Sequence, residues 1–158
     1  MAKKPTSVPR GYRTATPHLI IKDAASAIDF YKQTFGAKVL LCLAETEGKI
    51  GHAEIQIGDS RIMLADEYPQ IGYRSPQFLG GSPVSILLYV DDCDTIFERA
   101  MAKGAKTLSP VTDQVYGDRA GTLEDPFGHI WTIATHKQGL ASKQRLKPAS
   151  TSDKRAPV

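Results

Sequence analysis

Three groups of side chains in this sequence have the types and spacing to do chemistry. In "GHAEIQIG", residues 51–58, strict alternation sets His52, Glu54 and Gln56 on one face of a strand and Ala53, Ile55 and Ile57 on the other. An imidazole and a carboxylate two residues apart on one face, about 7 Å along the strand, form either a base with its orienting acid or a contact for a polar ligand. The plainer reading is a half-exposed strand whose polar face is wet. In "TPHLIIK", residues 16–22, His18 shares its face with Thr16 and Ile20, either as a hydrogen-bonded core histidine or pointing into a cavity. The loop "DQVYGDRAG", residues 113–121, holds Asp113, Tyr116, Asp118 and Arg119. There Tyr116 offers stacking and a hydroxyl, and Arg119 a planar fork for a carboxylate or phosphate. The alternative for that loop is an Arg119 pair with Asp118 or Asp113 while Tyr116 closes the core.

These residues need elements to position them. The apolar run 16–22 stops at Asp23, a preferred helix N-cap. From there Ala24, Ile28, Tyr31 and Phe35 recur at helical spacing with Ala27 beside them, until Gly36 supplies a left-handed stop. Strand-like runs follow at 38–44, 51–58 and 60–66, the last two joined by Gly58-Asp59 as a hairpin. The second half repeats the order. A strand at 84–90 leads to Asp92 as a cap, then a helix with Cys93, Ile96, Phe97 and Ala100 on one face, a stop at Gly104, and the strand runs "TLSPV", "GTLEDP" and "HIWTIATH". In the last of these, Ile130, Thr132, Ala134 and His136 share one face and Trp131, Ile133 and Thr135 the other; His129 reads as structural and "EDPFG" as a folding turn. The chain is thus read as α+β, two βαβββ modules at 14–66 and 83–137, whose mixed sheets must pair to form a cup, within one chain or between two. The loop 67–82, with Tyr68, Tyr73 and Phe78, is either a lid or a crossover pinned to the second module.

The net charge of +3 divides unevenly. Residues 1–13 carry four basic and no acidic groups and residues 137–158 six basic against one acidic, which leaves −6 on residues 14–136. An acidic body without a basic, aromatic-interleaved stripe excludes a nucleic-acid platform. The basic segments 1–13 and 138–158 read as flexible tails. No apolar run is long enough for a membrane span, and the start has no apolar stretch behind its basic residues, so the expectation is a cytoplasmic protein; a transit peptide would be short and not amphipathic. Cys42 and Cys93 sit in apolar runs and read as small buried residues. No glycine-rich phosphate loop, Ser-His-Asp set or nucleophile elbow appears.

The doubled βαβββ unit, opened by "DAASAIDFYKQTFGAKV" and closed by "DPFGHIW", resembles the vicinal oxygen chelate superfamily of glyoxalase I, bleomycin-resistance proteins and extradiol dioxygenases. The blocks "GHAEIQIGDSRIMLADE", "RSPQFLGGSPVSILLYVDD" and "DQVYGDRAGTLEDPFGHIWTIATH" look like its PhnB-like branch. In metal-bearing members of that superfamily each inward strand offers at most one ligand. Carried over by strand position, those places fall here on Thr16, Leu64, Ser85 and Thr132, none a good ligand for nickel, zinc or iron. Two residues further on lie His18, Asp66, Leu87 and Ala134, of which only His18 and Asp66 bind metals well.

The resemblance therefore implies a cup that binds a small molecule without a metal or other cofactor, through His18, His52, Glu54, Tyr116 and Arg119. The alternative is a metal-dependent lyase, isomerase or dioxygenase with a displaced divalent metal on His18 and Asp66. A third is a scaffold whose basic tails recruit an acidic partner. Superfamily members commonly pair, and two edge-bearing half-barrels give a physical reason to expect a homodimer.

Overall fold

A computed structural model of the chain describes residues 7–137; residues 1–6 and the tail 138–158 lie outside the described residues. Its first sheet is built from His18–Ile21 (β1), Lys38–Ala44 (β2), Ile50–Ile57 (β3) and Ser60–Asp66 (β4), in the order β1-β4-β3-β2. The second uses Ser85–Tyr89 (β5), Lys106–Asp113 (β6), Asp118–Glu124 (β7) and Ile130–His136 (β8), in the order β5-β8-β7-β6. In each sheet the first strand runs parallel to the last and the other pairs are antiparallel. Crossovers from β1 to β2 and from β5 to β6 carry the helices Ala24–Phe35 (α1) and Cys93–Ala102 (α3). This is the doubled βαβββ order and cup-like α+β arrangement expected from the sequence.

Local chemistry explains the helix ends. The Asp23 carboxylate accepts from the Ser26 N–H and Asp92 from the Thr95 N–H, each satisfying a donor that the first turn leaves unpaired. Gly36 stops α1 at φ 69°, a conformation that costs glycine nothing. The face of α1 buries Ala24, Ala27, Ile28, Tyr31 and Phe35, as the spacing predicts, together with Phe30 and Thr34.

The helices share one side of the two sheets, and α1 locks the modules together. Phe35 and Tyr31 meet Trp131 of β8 with ring centroids 4.8 and 5.3 Å apart. Asp125, buried in the turn before β8, accepts from the Tyr31 hydroxyl at 2.7 Å, from the Trp131 indole at 2.8 Å, and from the Phe127 and His129 N–H groups, both at 2.9 Å. The turn "EDPFG" is thus more than a turn, because its aspartate ties α1 to the second sheet. The His129 Nε2–H donates across the seam to the Ile20 carbonyl at 3.1 Å. Lys103 and Gln33 add a surface bond between α3 and α1 at 2.7 Å.

The long loop docks rather than stands free. Glu67 accepts from the Ser75 hydroxyl at 2.6 Å, Ser75 caps the short helix Pro76–Leu79 (α2), and Gln77 donates to the Pro126 carbonyl at 3.2 Å. These polar contacts hold the loop, whose Tyr73 and Phe78 remain exposed.

Two details depart from the sequence reading. Cys93 is buried but Cys42 is exposed, because β2 is an edge strand whose seven residues all reach solvent. Within the basic start, Tyr12 packs under the Arg61 guanidinium, 4.6 Å from its ring centre. No helix of the described residues is long and apolar enough to cross a membrane.

Acid should weaken this fold in two stages. Desolvation, partial at the exposed His18 and deeper at His129, holds their pKa values below the ordinary 6.5, so the unfolded chain takes up their protons first and stability falls as pH drops below about 6.5. Hydrogen bonds from Thr95 to Asp92, from Arg119 to Asp94 and Asp113, and from His136 to Asp118 depress those carboxyls. Their contribution is intact above the ordinary carboxylate range and is lost as pH falls below about 4 and through the depressed values. Urea midpoints measured from neutral to acid pH should fall in both windows, and His18→Gln should flatten the first; a midpoint unchanged across the first window refutes the histidine assignment.

Candidate functional site

The faces of the sheets opposite the helices form the cup, and strand register decides which side chains enter it. In β3, Ala53, Ile55 and Ile57 are buried under the helices, so His52, Glu54 and Gln56 face the cup as their alternation predicts. Leu41 and Leu43 of β2 lie opposite Glu54 and His52 on the same face. In β1, Leu19 and Ile21 are buried and His18 and Ile20 face the cup.

A polar cluster gathers on this first sheet. The His52 Nε2 stands 3.3 Å from Glu54 Oε1, and the His18 and His52 rings meet edge to face at 6.3 Å. Tyr73, from the long loop, places its ring 6.3 Å from that of His18. The Tyr12 hydroxyl, followed by His52 and Arg61, holds the Glu54 carboxyl below the usual range. The Tyr12 hydroxyl is itself buried, without a well-formed hydrogen bond among the described residues, and burial raises its pKa. Burial first, and the neighbouring His52 second, favour the neutral form of His18. The cluster therefore presents imidazoles, a carboxylate and phenols, with the Arg61 guanidinium beside the carboxylate.

The second sheet carries a different group. Asp118, almost fully buried, accepts from His136 Nδ1 at 2.6 Å and from the Tyr89 hydroxyl at 2.9 Å. That contact with Asp118 raises the Tyr89 pKa, and Tyr116 lies near enough to add to the shift. Thr122 and Thr132 share a hydrogen bond of 3.1 Å across the paired strands. Asp118 and His136 are direct cross-strand partners, a relation invisible until the strands are paired.

Several expected site residues do not come together. Arg119 pairs with Thr135 on the helix side of the second sheet, where it grips Asp94 of α3 through two bonds of 2.7 Å and Asp113 through one of 3.2 Å. Alternation along β7 sends Asp118 into the cup and its neighbour Arg119 away from it, so Arg119 serves the fold and Tyr116 stands without it. His18 and Asp66 also part company. In β4 the partners of His18 and Ile20 are Met63 and Ala65, which puts Leu64 and Asp66 on the helix side. Asp66 is buried there and accepts from the Ala24 N–H at 3.0 Å and the Ile50 N–H at 2.7 Å. A shared metal on His18 and Asp66 has no geometric basis. Among the described residues no three His, Cys, Asp or Glu side chains converge as a metal site. Thr16, Ser85 and Thr132 do not supply the imidazole, carboxylate or thiolate such a site wants.

Between β1 and β5 the sheets are not hydrogen-bonded to each other, and the seam opens into a cavity of about 690 Å³. That size suits a small-molecule site. Thr16, His18 and Ile20 form one wall, Val84, Ser85 and Ile86 another, and Arg74 and Leu79 of the long loop border it. Tyr73 was legible only as an aromatic of the long loop, and no signal marked Arg74, in the same aperiodic loop, or Tyr12, in a segment read as tail. Arg61 was legible in principle, since it sits two residues before Met63 on the cup-facing register of β4.

Comparison with known proteins agrees with this architecture. A sequence model described as the Glyoxalase/Bleomycin resistance protein/Dioxygenase superfamily matches residues 13–133. An uncharacterized protein of Mycobacterium bovis is 46% identical over 121 residues, covering 75% of this chain and 80% of its own length. Among solved structures, TioX from Micromonospora sp. ML1 superposes with a TM-score of 0.61 at 25% identity, covering 82% of this chain and all of its own. A Bacillus cereus PhnB protein described as a putative 3-demethylubiquinone-9 3-methyltransferase gives 0.63 at 20% identity, covering 78% and 99%. The doubled βαβββ order, the cup between the sheets and the match over most of the chain place this protein in the glyoxalase/bleomycin resistance protein/dioxygenase superfamily.

Proposed function

We propose that this chain binds a small organic molecule in the cup, at the seam cavity and the polar cluster beside it, and that it does so without a resident metal. The observation that carries the reading is the cavity of about 690 Å³ whose wall includes His18, itself 6.3 Å from His52 of the His52–Glu54 pair. A concave, mostly apolar space with a few converging polar groups is the usual form of such a site. The donor chemistry at the superfamily's metal positions supports the metal-free half of the proposal. After equilibration with nickel, zinc, manganese or ferrous ions and desalting, the full chain is expected to hold less than about a tenth of a metal per chain, where a filled catalytic site would hold one. One metal per chain, lost in His18→Ala, would overturn it.

For binding itself, small-molecule fragments screened by saturation-transfer NMR should include hits on the wild-type chain that vanish in His18→Trp, which fills the wall. Hits indifferent to that change would move the site elsewhere. A second reading, a base acting on the bound molecule, rests on the 3.3 Å contact between His52 and Glu54, since a carboxylate orients the imidazole that takes the proton. It requires a turnover that His52→Gln abolishes while binding survives.

The cup also favours a second copy of the chain. Leu43, Leu87 and Tyr89 stand 53%, 46% and 63% exposed on its open face, and exposed apolar side chains of this kind suit an association face. Sedimentation velocity should give a dimer, and Leu87→Glu should weaken it; a monomer at all concentrations would refute this part.

A further inference from the structure

We propose that the seam cavity selects an apolar ligand carrying one anionic head, a carboxylate, sulfonate or phosphate-type group, and that Arg74 receives that head. The proposal rests on the reading of the cup as a small-molecule site. No aspartate, glutamate or lysine lines the cavity, and Arg74 is the one permanently charged side chain on its wall among the described residues. Most of the lining is aliphatic or proline, with Ile20, Leu79, Val84 and Ile86 among it. The Arg74 guanidinium lies over the Phe78 ring at 5.4 Å, and among the described residues no carboxylate forms an ion pair with it.

The Arg74 guanidinium lies within cation–π reach of the Phe78 ring, and its planar N–H groups suit a forked contact. A forked, charge-assisted bond is what a planar or tetrahedral oxyanion offers. The two histidines of the wall do not compete as cations, since burial favours their neutral forms. Ser85 adds a hydroxyl on the facing wall. An acidic body, −6 over residues 14–136, repels anions in general, so a preference for an anion must come from this one group.

Two fluorescent probes that differ only in the head group test this. Anilinonaphthalene sulfonate and phenylnaphthylamine, the same skeleton without the sulfonate, are titrated into the full chain and into Arg74→Met and Val84→Trp. Arg74 is exposed, so its loss leaves the fold intact, and methionine keeps the apolar stem. The wild type is expected to bind the sulfonate about tenfold tighter or more, the scale of a bond to a charged group. Arg74→Met should bring the sulfonate down to the neutral probe while the neutral probe holds its affinity, and Val84→Trp, which fills the cavity, should weaken both. Equal wild-type affinities, or a sulfonate preference that survives Arg74→Met, would overturn the anion proposal while leaving the cavity as a binding site. If neither probe binds, or if Val84→Trp leaves both unchanged, the cavity reading itself fails and the proposal with it.

Discussion

Asp125→Ala is expected to remove about 4 kcal/mol of stability or more, because four donors, three of them buried, lose their acceptor and each unsatisfied group costs ~1–3 kcal/mol. The donors are the Tyr31 hydroxyl, the Trp131 indole and two backbone N–H groups of the turn. Tyr31 comes from the first module and the rest from the second, so the loss falls on the joint between them as well as on the turn. Tyr31→Phe gives the graded control. It removes one donor and leaves the carboxylate three, for an expected loss of about 1.5–3 kcal/mol, the worth of a hydrogen bond to a charged group. Trp131 is the only tryptophan and sits inside this network, so its fluorescence during urea unfolding reads the joint directly. A loss below about 1 kcal/mol in Asp125→Ala, against the desolvation cost of its donors, would show that the turn holds without its aspartate.

The second large effect is expected at Asp66, and it separates a structural carboxylate from a ligand. Each of its oxygens accepts from a backbone N–H, that of Ala24 at the start of α1 and that of Ile50 at the start of β3. Asp66→Ala strands both donors at a buried site, for a loss of about 2–4 kcal/mol. Metal content and probe binding in the cup should not change, since the side chain points to the helix layer. A variant that keeps its stability but loses metal or ligand would return Asp66 to the site and reverse the register argument.

The contrast between β3 and β4 shows how far residues alone can be read. In "GHAEIQIG" polar and apolar residues alternate, so the shared face of His52 and Glu54 is legible from the alternation itself. In "SRIMLAD" Ile62, Met63, Leu64 and Ala65 are all apolar, and no period assigns them a side. Only the pairing of His18 with Met63 and Leu19 with Leu64 does so, and it moves Leu64 and Asp66 away from the places expected of them. The same holds for Arg119, whose partner Asp94 lies 25 residues away on α3. A local reading offered Asp113 and Asp118 because they are near in sequence, and only Asp113 is used, beside the stronger bond to Asp94.

By itself the sequence determined the elements, their doubled order, the caps at Asp23 and Asp92 and the inward face of every strand that alternates, because those features rest on interactions between residues a few positions apart. The tertiary structure alone decided the register of β4, the docking of the long loop, the Asp118–His136–Tyr89 group and the cavity between β1 and β5. Each depends on strands brought together from distant parts of the chain, and one step of register turns a side chain from the cup to the core.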